Sequence, residues 1–218
     1  MNQVLQDLIN AINNIPESYY EMPTVAVQAD NLVTTSRDSK KYERRLVAQL
    51  KSEYDNLIRT GLTGDCNQVE TDFEVIKNYI FCPVPDAQIV KTHNKLVKRD
   101  SDKTISAITT IPDFFIHKEQ NNLDDESQKL AVEVKTAPTV NPNDFFLDLF
   151  KLNVYVEKYN FQNGVCLLIN NDINRIKGLI NRYKQEDFYI ADTRHKRIYF
   201  FIKADYNSKI EILNLTDN

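Results

Sequence analysis

The chain has 218 residues, of which 42% are hydrophobic and 27% charged, a composition that suits one α/β domain with a real core. Its mean hydropathy is -0.47, and no apolar run approaches the roughly 20 residues that a membrane helix needs, so no membrane partner is expected. A formal net charge of -4 argues against a protein that coats nucleic acid by bulk charge, but leaves room for a local basic surface.

Other classes drop out quickly. The four glycines, Gly61, Gly64, Gly164 and Gly178, build no glycine-rich phosphate loop. His93, His117 and His195 form no metal-binding pattern. Cys66, Cys82 and Cys166 are odd in number and widely spaced, which suits small buried thiols in a reducing cytoplasm. The first residues show no basic region followed by an apolar one, so no signal peptide is expected.

In chain order, Leu5, Leu8, Ile9, Ile12 and Ile15 have helical spacing before Pro16. Residues 39–59 carry one apolar stripe, Tyr42, Leu46, Val47, Leu50, Tyr54, Leu57 and Ile58, with Gly61 as a stop. Val69, Phe73, Ile76 and Ile80 predict a third helix. Pro83 and Pro85 mark a break, after which the period changes. Ile105 to Thr110 is β-like, Asp113 to His117 is a short apolar run, and Leu130 to Thr136 reads as a strand. The polar stretch Lys118 to Lys129 between them suits a hairpin loop or surface extension. Asn143 to Tyr159 is helical, and Gly164 to Ile169 looks like a strand buried on both faces. A polar helix follows at about 172–185. Phe188 to Ala191, Arg197 to Ala204 and Lys209 to Leu215 read as short strands, the last two forming a hairpin through Asp205 to Ser208. The whole predicts an α/β fold with one central mixed sheet flanked by helices.

Three windows are locally basic: residues 37–51 with Arg44, residues 91–103 with Lys98 and Arg99, and residues 173–197. They are either solvated faces or parts of a nucleic-acid cleft.

Along a strand through Glu133, Glu133 and Lys135 share one face while Val132 and Val134 take the other. This polar pair marks either a sheet edge in water or a metal site. Asp113 stands 20 residues upstream of Glu133. If the two runs form a hairpin, both carboxylates converge, and hard oxygen ligands of this kind suit Mg²⁺ or Mn²⁺. A lysine beside such an ion could hold the attacking water or meet charge on a phosphate. An acid two residues before a lysine occurs twice in the chain, at Asp38-Ser39-Lys40 and Glu133-Val134-Lys135. Only the second lies in a β-like run with a Pro-Asp upstream.

Pro112-Asp113 and Glu133-Val134-Lys135 resemble the motif of the PD-(D/E)xK nuclease superfamily, which includes many restriction endonucleases, resolvases and repair nucleases. The resemblance implies a restriction-endonuclease-like core over about residues 39–170, with an N-terminal helical extension over 1–38 and a C-terminal helix and strands over 171–218. By that resemblance Asp113, Glu133 and the main-chain carbonyl of Val134 bind Mg²⁺, for which Mn²⁺ substitutes, and Lys135 positions or activates the water. A helix glutamate found in many members matches Glu43, with Glu53 as the rival; a solvated carboxylate is the plainer reading of either. A basic residue on the helix after the motif matches Lys151, which is otherwise a surface lysine. Arg44, Lys98 and Arg99 are the further candidates for contact with nucleic acid. The implied activity is a Mg²⁺-dependent endonuclease cutting DNA, expected to be double-stranded, of restriction or host-defence type, acting in the cytoplasm as a homodimer or as a subunit of a larger defence system. The alternatives are a catalytically inactive nucleic-acid-binding or structural protein on the same fold, and an RNA-directed nuclease. Tyr19, Tyr20 and Tyr183 are core residues or base-stacking platforms, and His117 is structural or close to the site.

Overall fold

The computed structural model describes residues 2–20, 26–28, 31–33, 36–61, 69–73, 77–80, 86–98, 107–119, 124, 126–191 and 198–216. Helix α1 spans Gln3–Asn14, and the side chain of Asn2 caps it by accepting from the Leu5 N–H. Two short strands, β1 (Ala26–Gln28) and β2 (Asn31–Val33), pair with each other. Helix α2 runs Ser36–Arg59, and the predicted stripe is its buried face. Gly61 adopts a φ of 67° and donates to the Ile58 carbonyl, a left-handed stop that a residue with a Cβ adopts only at a cost.

Next come β3 (Glu70–Asp72), β4 (Lys77–Ile80), α3 (Ala87–Leu96), β5 (Ala107–Thr110), β6 (Phe114–His117) and β7 (Gln128–Lys135). Residues 70–72 and 77–80 are therefore strands rather than parts of the helix that the apolar spacing predicts, Ile76 lying outside the described residues. β3 pairs with β6, and β4 pairs with β5. Partners far along the chain outweigh a helical spacing carried by only four residues. The chain closes with α4 (Pro142–Lys158), β8 (Asn163–Ile169), α5 (Ile173–Gln185), β9 (Ile198–Lys203) and β10 (Glu211–Asn214).

Six strands form one mixed sheet in the order β10-β9-β8-β7-β6-β3. β7, β8 and β9 run parallel, linked by α4 and α5, while β6 is antiparallel to β7, β3 to β6, and β10 to β9. Helices cover both faces. α3, α4 and α5 bury Ile89, Phe145, Phe146, Leu149, Phe150, Ile176 and Ile180 on one face. α1 and α2 bury Leu5, Leu8, Ile12, Leu46, Leu50 and Tyr54 on the other, against Leu130, Val132 and Val134 of β7. The segments before residue 39 and after residue 170 thus contribute to the same sheet and its two apolar layers. β8 is buried at all seven positions, as its unbroken apolar run predicts.

Residues 188–191 are not a strand. Their backbone is satisfied by side chains instead: Tyr189 N–H donates to Thr92 Oγ1 and Ala191 N–H to Asn153 Oδ1. No described helix is long and apolar enough to cross a membrane.

Candidate active site

The candidate site forms where β6 leaves β7. The two strands pair from His117↔Gln128 to Phe114↔Val132. Two residues further Pro112 would face Val134, and proline has no N–H to give the ladder. The Asp113 side chain takes over: its Oδ2 accepts the Val134 N–H at 2.7 Å. The main chain of β7 is thereby held beyond the end of its neighbour, with the Asp113 carboxylate beside the Glu133–Lys135 segment.

β7 lies between β8 and β6 and outruns β6 at Glu133–Lys135, yet the charged pair does not face water, the Lys135 side chain being 15% exposed. Glu133 is fully buried. It shares the α4 side of the sheet with Ala131, while Val132 and Val134 face α2. Above it, Asp148 and Lys151 stand one turn apart on α4. Lys151 Nζ lies 3.2 Å from Glu133 Oε2 and 2.9 Å from Asp148 Oδ1. Lys135 Nζ lies 2.7 Å from Asp148 Oδ2 and 3.8 Å from Glu43 Oε2, and donates to the Val134 carbonyl at 3.2 Å. Glu43 comes from α2, the layer on the other face, and reaches the lysine past the end of β6. Glu53, its rival, instead accepts from Gln49 of its own helix.

The cluster is withdrawn from water, and its charges shape one another. Burial pushes the Glu133 carboxyl well above its usual range, with Asp113 and Asp148 adding repulsion and Lys151 opposing it. Burial also raises Asp113 and Glu43, against the pull of Lys135. Asp148 goes the other way: burial would raise it, but Lys151 and Lys135 together hold it below the usual carboxylate range. Burial works against both ammonium groups, yet the surrounding carboxylates raise Lys135 and Lys151 above the ordinary lysine value. Both therefore act as fixed cations. Cys166, paired in register with Glu133, is buried, and burial pushes its thiol up, away from the thiolate form.

Among the described residues no group of three or more His, Cys, Asp or Glu side chains is arranged to hold a metal ion. The donor set present is smaller: Asp113, Glu133 and the Val134 carbonyl. Glu133 Oε1 is buried without a hydrogen-bond partner among the described residues. An open acceptor beside a second carboxylate fits a hard cation that keeps most of its waters.

Other expectations meet different surroundings. Lys151 lies within the acid cluster, and Asp148, which binds both lysines, was not singled out by sequence. The signal for Asp148 is an acid one turn before a lysine on an otherwise apolar helix, but its role depends on how α4 crosses β7. Arg44 and Lys98 are exposed, and Arg99 lies outside the described residues, as do Cys66, Cys82 and His195. His117 sits at the far end of β6, buried against Phe115 and 3.1 Å from Asp72 Oδ2, away from Asp113. Tyr20 and Tyr183 are buried and donate to backbone carbonyls, while Tyr19 lies under Arg45. Two surface pockets lie elsewhere, one between α1 and the β9–β10 turn and one between α2 and β3.

Comparisons with models of protein families, with curated proteins and with solved structures each find no match.

Proposed function

We propose that the chain is a metal-dependent nuclease of the restriction-endonuclease-like kind, hydrolysing phosphodiester bonds of DNA in restriction or host defence. The observation that carries this reading is the Asp113 carboxylate bonded to the Val134 N–H, which brings an acid from one strand beside Glu133 and Lys135 of the next. Asp113, Glu133 and the Val134 carbonyl would hold Mg²⁺, or Mn²⁺ in its place. Such an ion supplies two things when bound: it polarises the phosphate and lowers the pKa of a water.

The chain's own residues do the rest. Lys135, fixed as a cation, donates to the water and meets negative charge building on the phosphate. Glu43 and Asp148 hold that ammonium from two sides. The water oxygen forms a bond to phosphorus and gives up a proton to solvent, one phosphorus–oxygen ester bond breaks, and the departing oxygen takes up a proton from solvent to leave as a hydroxyl. Burial of the cluster strengthens each of these electrostatic contacts. Cutting both strands of a duplex with one such site per chain calls for a homodimer.

A second reading has an observation of its own. Glu133 and Asp148 are already paired with lysines, as in a protein that keeps the fold and binds or scaffolds without cutting. A cleavage assay separates the two readings. The protein is incubated with plasmid, single-stranded DNA and RNA, with Mg²⁺, with Mn²⁺ and with a chelator. A Lys135→Ala protein runs alongside. Metal-dependent cutting of DNA that the variant lacks supports the nuclease. Cutting of RNA alone changes the substrate class, and a folded protein that cuts none of the three favours the second reading.

A further inference from the structure

We infer that Lys151 is a built-in cation of the candidate site, standing at Glu133 where a second divalent ion would otherwise bind, so that the site takes a single ion. The inference rests on the metal-dependent reading above. Lys151 follows the motif on α4 and is expected from sequence to reach a phosphate, but its Nζ is committed inward, to Glu133 Oε2 at 3.2 Å and Asp148 Oδ1 at 2.9 Å. Its side chain is only 20% exposed. Two-metal sites share carboxylates between ions about 3.5–4 Å apart. Here the carboxylate between the two positions is Glu133, with Oε2 on Lys151 and Oε1 open, while the two oxygens of Asp148 carry Lys135 and Lys151.

That leaves one opening. Glu133 Oε1 is the buried oxygen of the cluster free of both hydrogen bonds and ion pairs among the described residues, and Asp113 is the acid beside it. Charge points the same way. Four carboxylates (Glu43, Asp113, Glu133 and Asp148) and two ammonium groups converge, a formal charge of −2 when ionised. One divalent ion balances it, whereas a second would leave net positive charge in a site withdrawn from water. Asp148 is then a positioning residue: it acts by fixing both lysines rather than by touching substrate.

The test counts ions and needs no cleavage. Mn²⁺ is titrated into the full chain without nucleic acid, with binding followed by calorimetry and free Mn²⁺ by electron paramagnetic resonance. The wild type is expected to bind one Mn²⁺. Lys151→Met keeps the length of the side chain and removes its charge. It is expected to bind a second ion, or the first about tenfold more tightly. Lys151→Arg keeps the charge and is expected to bind one. Two ions on the wild type overturn the inference and leave the nuclease reading standing. So does a cooperatively folded Lys151→Met protein that matches the wild type in number and affinity. No binding to the folded wild type overturns the metal-dependent reading itself, and this inference with it.

Discussion

Asn153 and the Asp148–Lys151 pair lie within two turns of each other on α4, all of them largely withdrawn from water, yet their polar atoms are satisfied in different ways. Asn153 donates to the Leu149 carbonyl at 2.7 Å and accepts the Ala191 N–H at 2.9 Å. Both ends of its amide are used, and by backbone. It fixes the 188–191 segment where no strand ladder does. Asp148 and Lys151 bond instead to other ionisable side chains, and the carboxylate below them, Glu133, keeps one oxygen open. A buried polar group that only holds the fold together is served by its neighbours' main chain. Four acids and two lysines brought together out of water hold unfavourable charge in reserve, an arrangement met more often at functional sites than in a purely structural core.

The sharpest way to break this comparison is to ask what each group is for. Lys135→Ala is expected to lower metal-dependent cleavage by about 10³-fold or more, scored per folded molecule because the change also removes an ammonium bonded to the buried Asp148. If cleavage survives in that variant, the cluster is no more a working site than Asn153 is. Asp148→Ala tests the same cluster through stability. It leaves two largely buried ammonium groups without the carboxylate that binds them both, and removing one partner of a buried ion pair costs about 3–5 kcal/mol. Denaturant unfolding measures this directly. A loss below about 1 kcal/mol would mean that the lysines have other counter-charges and that Asp148 does not organise them.

Helices α1, α2, α4 and α5 and strands β5 to β10 could be read from the chain because their patterns are clear, whereas α3 and β1 to β4 are not predicted. The stripe from Tyr42 to Leu57 and the apolar run of β8 are examples. Where reading failed, the deciding contacts were distant. Val69, Phe73, Ile76 and Ile80 have helical spacing, yet β3 and β4 find partner residues 27 or more positions away. Phe188 to Ala191 looks like a strand, but Thr92 and Asn153 take its N–H groups. The site divides in the same way. Asp113, Glu133 and Lys135 could be named because a hairpin aligns them by register. Asp148 could not, because its place over Glu133 depends on the seating of α4 on the sheet, which no local spacing encodes.

Acidity and metal sharpen the comparison further, since Asn153 does not titrate. Glu43, Asp113 and Glu133 have raised values in the folded chain, so across that range the folded state binds more protons than the unfolded one. Stability from these groups therefore falls as pH rises from the ordinary carboxylate range, near pH 4, through their folded values. Asp148, held low, contributes stability that is present above its unfolded value and lost as pH falls through its folded one. The two lysines, held high, lose theirs only above the ordinary lysine value, at the alkaline end. In a chelator, the thermal midpoint is thus expected to decline from mildly acidic pH toward neutrality. On the metal-dependent reading Mg²⁺ would bind the ionised carboxylates and is expected to reverse the decline, adding about 2.7 kcal/mol at one hundred times its dissociation constant. Superimposed curves with chelator and with Mg²⁺ would count against a cation site.

The smallest effect is expected on the other side of the comparison. Asn153→Ala removes the acceptor of the Ala191 N–H and the donor to the Leu149 carbonyl. The carbonyl still has a helical N–H within reach, but the Ala191 N–H is left buried and unpaired, at a cost of about 1–2 kcal/mol. The 188–191 segment is expected to gain amide hydrogen exchange before the sheet does, because that residue is its tether to α4. Cleavage per folded molecule should be unchanged, since Asn153 makes no contact with Glu133 or the lysines among its hydrogen bonds. A variant that kept its stability but lost activity would erase the distinction, and would mean that α4 works as one unit in which the fold-holding amide also sets the position of Asp148 and Lys151.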